Sequence, residues 1–150
     1  MRDILITNID YSYSNIYKSF FQSISKYNKY FNITENKQIF IVNNGSIDLG
    51  VILLSEDYGY FNVEIFQAPR VCRLSIISLI ECSVILAKKS ENKLDTINFK
   101  LNGAASYNFK FKLLFKEFVE LEDCIQVSSD ILNELREEDI TFRNITFSEF

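Results

Sequence analysis

The stretch Tyr60-Phe61-Asn62-Val63-Glu64-Ile65-Phe66-Gln67-Ala68-Pro69 decides how the rest of the chain is read. Phe61, Val63 and Ile65 alternate with Asn62 and Glu64, the period-two pattern of a half-buried strand. Pro69 closes that strand, because proline cannot donate to a central ladder yet is tolerated at a helix start. Beyond it, Leu74, Ile77, Ile80, Val84 and Ile85 recur at helical spacing between about Val71 and Lys89, while Ile76, Leu79 and Leu86 widen the apolar arc well past one stripe. Such a helix needs a sheet on one side and, on the other, more of the same chain or a second copy of it.

Upstream, Ile39-Phe40-Ile41-Val42 is followed by Asn43-Asn44-Gly45, a hairpin signal since Asn and Gly tolerate positive φ. The run Leu49 to Leu54 ends at the turn Ser55 to Gly59, so the three runs predict an antiparallel meander. Before them, Ile16, Phe20, Ile24, Tyr27 and Phe31 form a helical stripe from Ser14, its expected N-cap, to Phe31. Downstream, Glu91-Asn92-Lys93 breaks the pattern, Thr96 to Leu101 alternates, and Asn102-Gly103 signals a turn. Tyr107, Phe109, Phe111, Leu113 and Phe115 alternate with Asn108, Lys110 and Lys112, the cleanest period-two segment of the chain, and read as the returning strand. Leu121, Ile125, Ser128, Leu132 and Leu135 then recur as a helix reaching Glu138. The fold class expected is α+β: helix, three-stranded antiparallel meander, helix, β-hairpin, helix. With one proline and four glycines no linker is visible, so residues 1–150 read as a single domain with a core of about 14–138 and terminal extensions 1–13 and 139–150.

Composition narrows function. A chain of 150 residues, 47% of them hydrophobic, buries a core without staples. The three cysteines, Cys72, Cys82 and Cys124, are odd in number and lack CxxC spacing, which favours a reducing cytoplasm and no zinc site; they read as small buried hydrophobes. Arg70 and Arg73 make Cys72 the one thiol worth testing. The chain has no histidine, which removes His-based acid–base catalysis, nucleophile pairs and metal ligation. Glycines never combine into a phosphate-cradling motif. No catalytic residue, cofactor-binding residue or metal ligand is therefore assigned, and no enzyme activity is expected. A formal net charge of −4 disfavours nucleic acid, and neither a signal peptide nor a bilayer-spanning run is present, so no membrane insertion is expected.

The order of elements, carried most by Tyr60 to Pro69 leading into Leu74 to Leu86 and by Thr96 to Leu101 with Tyr107 to Phe115, resembles the class I chaperones of type III secretion systems. The resemblance implies a cytoplasmic, non-catalytic homodimer without cofactor that binds an extended segment of a secreted effector. Strand addition beside an aromatic-rich helix suits that role, with Phe20, Phe21, Phe40, Val51, Phe61 and Val63 as the candidate effector groove. Leu74, Ile77, Ile80 and Val84 are the candidate dimer interface, although a helix buried within its own monomer has the same sequence. The alternative is an immunity protein that covers a secreted, basic nuclease toxin, motivated by the acidic runs Glu117 to Asp123 and Glu134 to Asp139.

Overall fold

The computed structural model describes residues 3–90, 94–102, 107–136, 139–140 and 144–150. Among them, in chain order, lie β1 (Ile4–Ile9), a 3-10 helix (Tyr11–Tyr17), α1 (Lys18–Tyr27), β2 (Gln38–Asn43), β3 (Asp48–Asp57), β4 (Tyr60–Gln67), α2 (Arg73–Lys89), β5 (Thr96–Lys100), α3 (Phe109–Leu114), β6 (Val119–Glu120), β7 (Ile125–Ser128), α4 (Ser129–Glu134) and β8 (Ile145–Glu149). The strands form one sheet in the order β6-β7-β5-β4-β3-β2-β1-β8. The pairs β1/β8 and β4/β5 are parallel and the others antiparallel.

Both faces of the sheet are covered, which explains why β3 is an almost continuous apolar run. On one face Phe21 and Ile24 of α1 close over Ile9, Ile39, Ile41, Val51, Leu53 and Phe66. On the other, Leu79, Ile80 and Val84 of α2, Phe111 of α3 and Leu132 of α4 pack with Ile6, Ile52, Val63, Ile97 and Phe99. Each side chain brought fully inside contributes about 1.5–3 kcal/mol. Helix α2 is buried over most of its circumference because sheet and α4 both touch it, so its own chain covers Ile76, Leu79, Ile80, Val84 and Leu86 of the wide apolar arc, while Leu74 stays exposed.

Gly50 marks where α2 seats on β3. A Cβ there meets the Phe66 carbonyl oxygen at 2.2 Å and Leu79 Cδ2 at 2.8 Å. Gly50→Ala therefore pushes β3 from β4 and lifts the helix, with an expected loss of about 1–3 kcal/mol in urea-unfolding free energy. Gly45→Ala meets no neighbour but sits at φ +94°, so its cost is confined to backbone strain of about 1 kcal/mol.

Several expectations are corrected. The meander β2–β4 is present, but as the middle of an eight-stranded mixed sheet, not as the sheet of a secretion chaperone. Ile4–Ile9 and Ile145–Glu149, expected to be extensions, pair in parallel within it. The first helix starts later than Ser14: Asp10 caps the preceding 3-10 turn, its carboxylate accepting from Ser12 N–H at 2.9 Å and Ser12 O–H at 2.7 Å. Those two bonds hold the Asp10 carboxyl below its usual range. The segment expected to be the clearest strand, Tyr107 to Phe115, contains α3 instead, and β5 pairs with β7 rather than in a 96–115 hairpin. The helix expected over Leu121 to Glu138 is divided between β7 and the short α4, which Ser128 caps through Ile131 N–H. Gly103, Glu91 to Lys93, Glu137 and Glu138 lie outside the described residues.

Candidate active site

The pairing of β4 with β5 runs from Phe61↔Ile97 to Glu64↔Lys100 and ends there, whereas β4 continues to Gln67 along β3. The two parallel strands thus part at their carboxyl ends, the location where open α/β sheets bind ligands. A cleft of about 370 Å³ opens at this point, lined by Gln67, Ala68, Pro69 and Arg70 after β4, by Asn102 after β5, and by Tyr27 and Asn28 at the end of α1.

Backbone conformation singles out the same place. Described non-glycine residues with positive φ are Tyr58, in the β3–β4 turn, and Arg70 (φ +64°) and Asn102 (φ +43°), one on each lip of the cleft. Left-handed backbone costs an L-residue about 1–2 kcal/mol and persists where surrounding structure enforces it, often at functional sites.

Helix α2 begins beside the cleft. Its first hydrogen bond joins Ile76 N–H to the Cys72 carbonyl, and no side chain caps it, so the Arg73 and Leu74 amides at an exposed first turn have no intrahelical partner. The turn contains no acidic residue, whereas Lys88 and Lys89 complement the opposite end. Arg73 lies with its guanidinium carbon 5.5 Å from the centre of the Phe109 ring, which ties it to α3. In the sequence, the stretches 11–34, 65–80 and 96–116, within which all seven lining residues fall, include no Asp or Glu, although the chain has 20 of them. A helix N-terminus with two arginines and no carboxylate suits a phosphorylated ligand.

Other ionisable groups nearby are committed elsewhere. Glu64 holds Lys37 at 3.1 Å, and in the interior Glu81 of α2, fully buried, holds Lys110 of α3 at 2.5 Å. Cys82 and Cys124 are buried, and burial pushes both thiols up, with the Glu81 and Asp123 charges respectively adding to the effect. Cys72, expected to be buried, is exposed at the N-cap of α2.

The candidate groove residues do not meet. Phe21 and Val51 belong to the α1 face, with half-buried Phe20 against them, while Phe40, Phe61 and Val63 belong to the α2 face. Of the candidate interface residues, Ile80 and Val84 are fully buried in their own chain, Ile77 is half-buried and Leu74 is 75% exposed. Glu120 of the acidic run 117–123 lies in β6, at the sheet's edge, and bonds Lys112 at 3.1 Å. The lining residues of the cleft carried little signal. Pro69 marks the strand end, but nothing in the sequence shows that Arg70 and Asn102 take left-handed backbone.

No protein-family model matches the sequence, and no curated protein matches it. Solved structures do. Spermidine N-acetyltransferase from Vibrio cholerae, in complex with CoA and spermine, is 12% identical, with 87% of this chain and 98% of that one covered at a TM-score of 0.56. An N-acyl amino acid synthase from uncultured soil microbes is 10% identical, with 93% and 98% covered at 0.53. A GNAT-family acetyltransferase from Staphylococcus aureus Mu50 is 19% identical, with 82% and 96% covered at 0.49. The sheet and helices are those of the fold shared by that spermidine N-acetyltransferase and that N-acyl amino acid synthase. This overturns the resemblance to type III secretion chaperones. The homodimeric effector-binding role, the toxin-neutralising alternative and the expectation of a non-enzyme go with it. No described helix is long and apolar enough to cross a membrane.

Proposed function

We propose that this chain is an N-acyltransferase that takes a CoA thioester at the parting of β4 and β5 and delivers its acyl group to an amine. The observation that carries the reading is the uncapped, acid-free N-terminus of α2, flanked by Arg70 and Arg73, beside a cleft at the carboxyl ends of two parallel strands. The fold shared with a spermidine N-acetyltransferase and an N-acyl amino acid synthase supports it.

The residues present fit the group. Exposed Arg73 and the first-turn amides of α2 would hold phosphate oxygens through charge-assisted bonds. The segment Gln67 to Cys72 contains no glycine, so the phosphate contacts fall to these amides and guanidinium groups rather than to a glycine-rich cradle. An acyl-CoA, when bound, would supply an acyl group activated as a thioester and leave as the free thiol. This chain's contribution is to align that group with the amine, since positioning alone removes much of the barrier. Tyr27 and Arg70 are the titratable side chains among the described lining residues and neither is a carboxylate, so the amine would enter neutral, and the proton it sheds on becoming an amide would pass to the departing thiolate, directly or through water.

Calorimetric titration with CoA tests the reading. The expected result is saturable binding that weakens about 10–100-fold in Arg73→Glu, the equivalent of one charge-assisted hydrogen bond. The variant places an acid in the first turn of α2, where it favours the helix, so the melting temperature stays within about 2 °C of wild type or rises. Equal CoA binding by both proteins contradicts the assignment of Arg73.

A further inference from the structure

We propose that the exposed surface formed by the first turn of α2 and the outer side of α3 docks an acidic carrier protein, one that brings the acyl group to the cleft as a thioester on a phosphopantetheine arm; the inference rests on the acyl-transfer reading above. Free CoA and such a carrier present the same arm, and they differ in what stands outside the cleft. Charge is segregated along the chain. Nine of its 16 Lys and Arg, and none of its 20 Asp and Glu, fall within residues 11–34, 65–80 and 96–116, although the formal net charge is −4. Lys110 is turned inward to Glu81, but Lys112 and Lys116 are exposed on α3 and just beyond it, and Arg73 is exposed on α2. The stack of Arg73 on Phe109 sets the start of α2 against the start of α3.

Two leucines lie among these cations. Leu74, beside Arg73, and Leu113, one turn beyond Phe109 on the same side of α3, are each 75% exposed. An exposed leucine alone needs no explanation, but two of them set among cations give the apolar centre and charged rim of a protein interface. The cations select an acidic partner, since opposite charge speeds encounter and fixes orientation. An anionic membrane suits the surface less, because the exposed acids Glu117 and Glu120 bound it, the latter holding Lys112 at 3.1 Å. The chemistry does not depend on the source of the arm. The carbon–nitrogen bond to the amine forms as the carbon–sulfur bond breaks, and the thiol left on the arm takes the proton that the amine sheds.

The test is calorimetric titration of the full chain with three probes: a bacterial acyl carrier protein bearing its phosphopantetheine arm, the same carrier without the arm, and CoA. The expected result is saturable binding of the arm-bearing carrier that weakens at least about tenfold without the arm and again at about 0.5 M salt. The double variant Leu113→Glu/Lys116→Glu weakens carrier binding at least about tenfold. It leaves CoA affinity and melting temperature unchanged, since both side chains are exposed. Lys88→Glu, at the opposite end of α2, leaves carrier binding unchanged and controls for overall charge. CoA binding without carrier binding overturns this inference and leaves the acyl-transfer reading standing. So does carrier binding that survives the double variant or falls equally in Lys88→Glu, and so does binding to phosphatidylglycerol vesicles that the double variant abolishes. Carrier binding without CoA binding upholds the inference and removes free CoA as the donor. Binding of neither overturns both.

Discussion

Lys110→Ala lowers the unfolding free energy by about 3–5 kcal/mol, because it removes the cation paired with a fully buried carboxylate. Glu81 occupies the middle of α2 with no solvent exposure, and Lys110, almost as deep, reaches it from α3 at 2.5 Å. Each charge alone is costly in the interior, and each makes the other tolerable. Urea unfolding measures the loss. Lys112→Ala, which removes the half-exposed pair with Glu120, serves as the control and changes stability by no more than about 1 kcal/mol. Exchanging Glu81 and Lys110 together for methionine recovers most of the loss, since apolar replacement of a whole buried pair is often neutral. A Lys110→Ala protein as stable as the Lys112→Ala control contradicts the burial of the pair.

Phe99→Ala costs about 3–5 kcal/mol, the range for a deeply buried aromatic. Phe99 is fully buried on β5, with its ring centre 5.0 Å from Phe111 and 5.8 Å from Phe115. Truncation removes the surface on which α3 rests, and β5 is the strand that forms one lip of the cleft. The stability loss is therefore accompanied by weaker CoA binding. Phe109→Ala, half-buried on the opposite side of the same helix, loses about 1 kcal/mol or less and serves as the comparison. Similar losses at both positions contradict the helical packing of residues 109–114.

These two changes bear on how the chain is read. Residues 107–115 satisfy two periods at once: aromatic and lysine alternate as in a strand, yet Phe111 and Phe115 are four apart and stack on one helical face. The choice is made by tertiary contacts, namely Phe99 and the buried Glu81 that accepts Lys110, and neither is visible locally. Ile125 and Val127 alternate correctly for β7, but the spacing shared with Leu132 and Leu135 extends a helical reading across the strand. At the termini, Asn8 and Asp10 look like interruptions, while in the structure the segment pairs β2 on one side and β8 on the other. Long-range parallel pairing of that kind leaves no local signal. The meander and α2 were legible because the turn at Asn43 to Gly45, the positive-φ Gly59 and Pro69 are local chemistry. The cleft was not, since it depends on where β5 stops pairing with β4 and on left-handed backbone at Arg70 and Asn102.

The central claim is that the parting of β4 and β5, with the N-terminus of α2, holds an acyl-CoA. Titration of the isotope-labelled chain with CoA, followed by amide chemical shifts, tests it most directly. The account predicts that saturable shifts concentrate at Gln67 to Ile76, at Lys100 to Asn102 and at Tyr27 and Asn28. An unperturbed spectrum, or shifts confined to the far end of the sheet around Asp10, Tyr11 and Phe150, contradicts it.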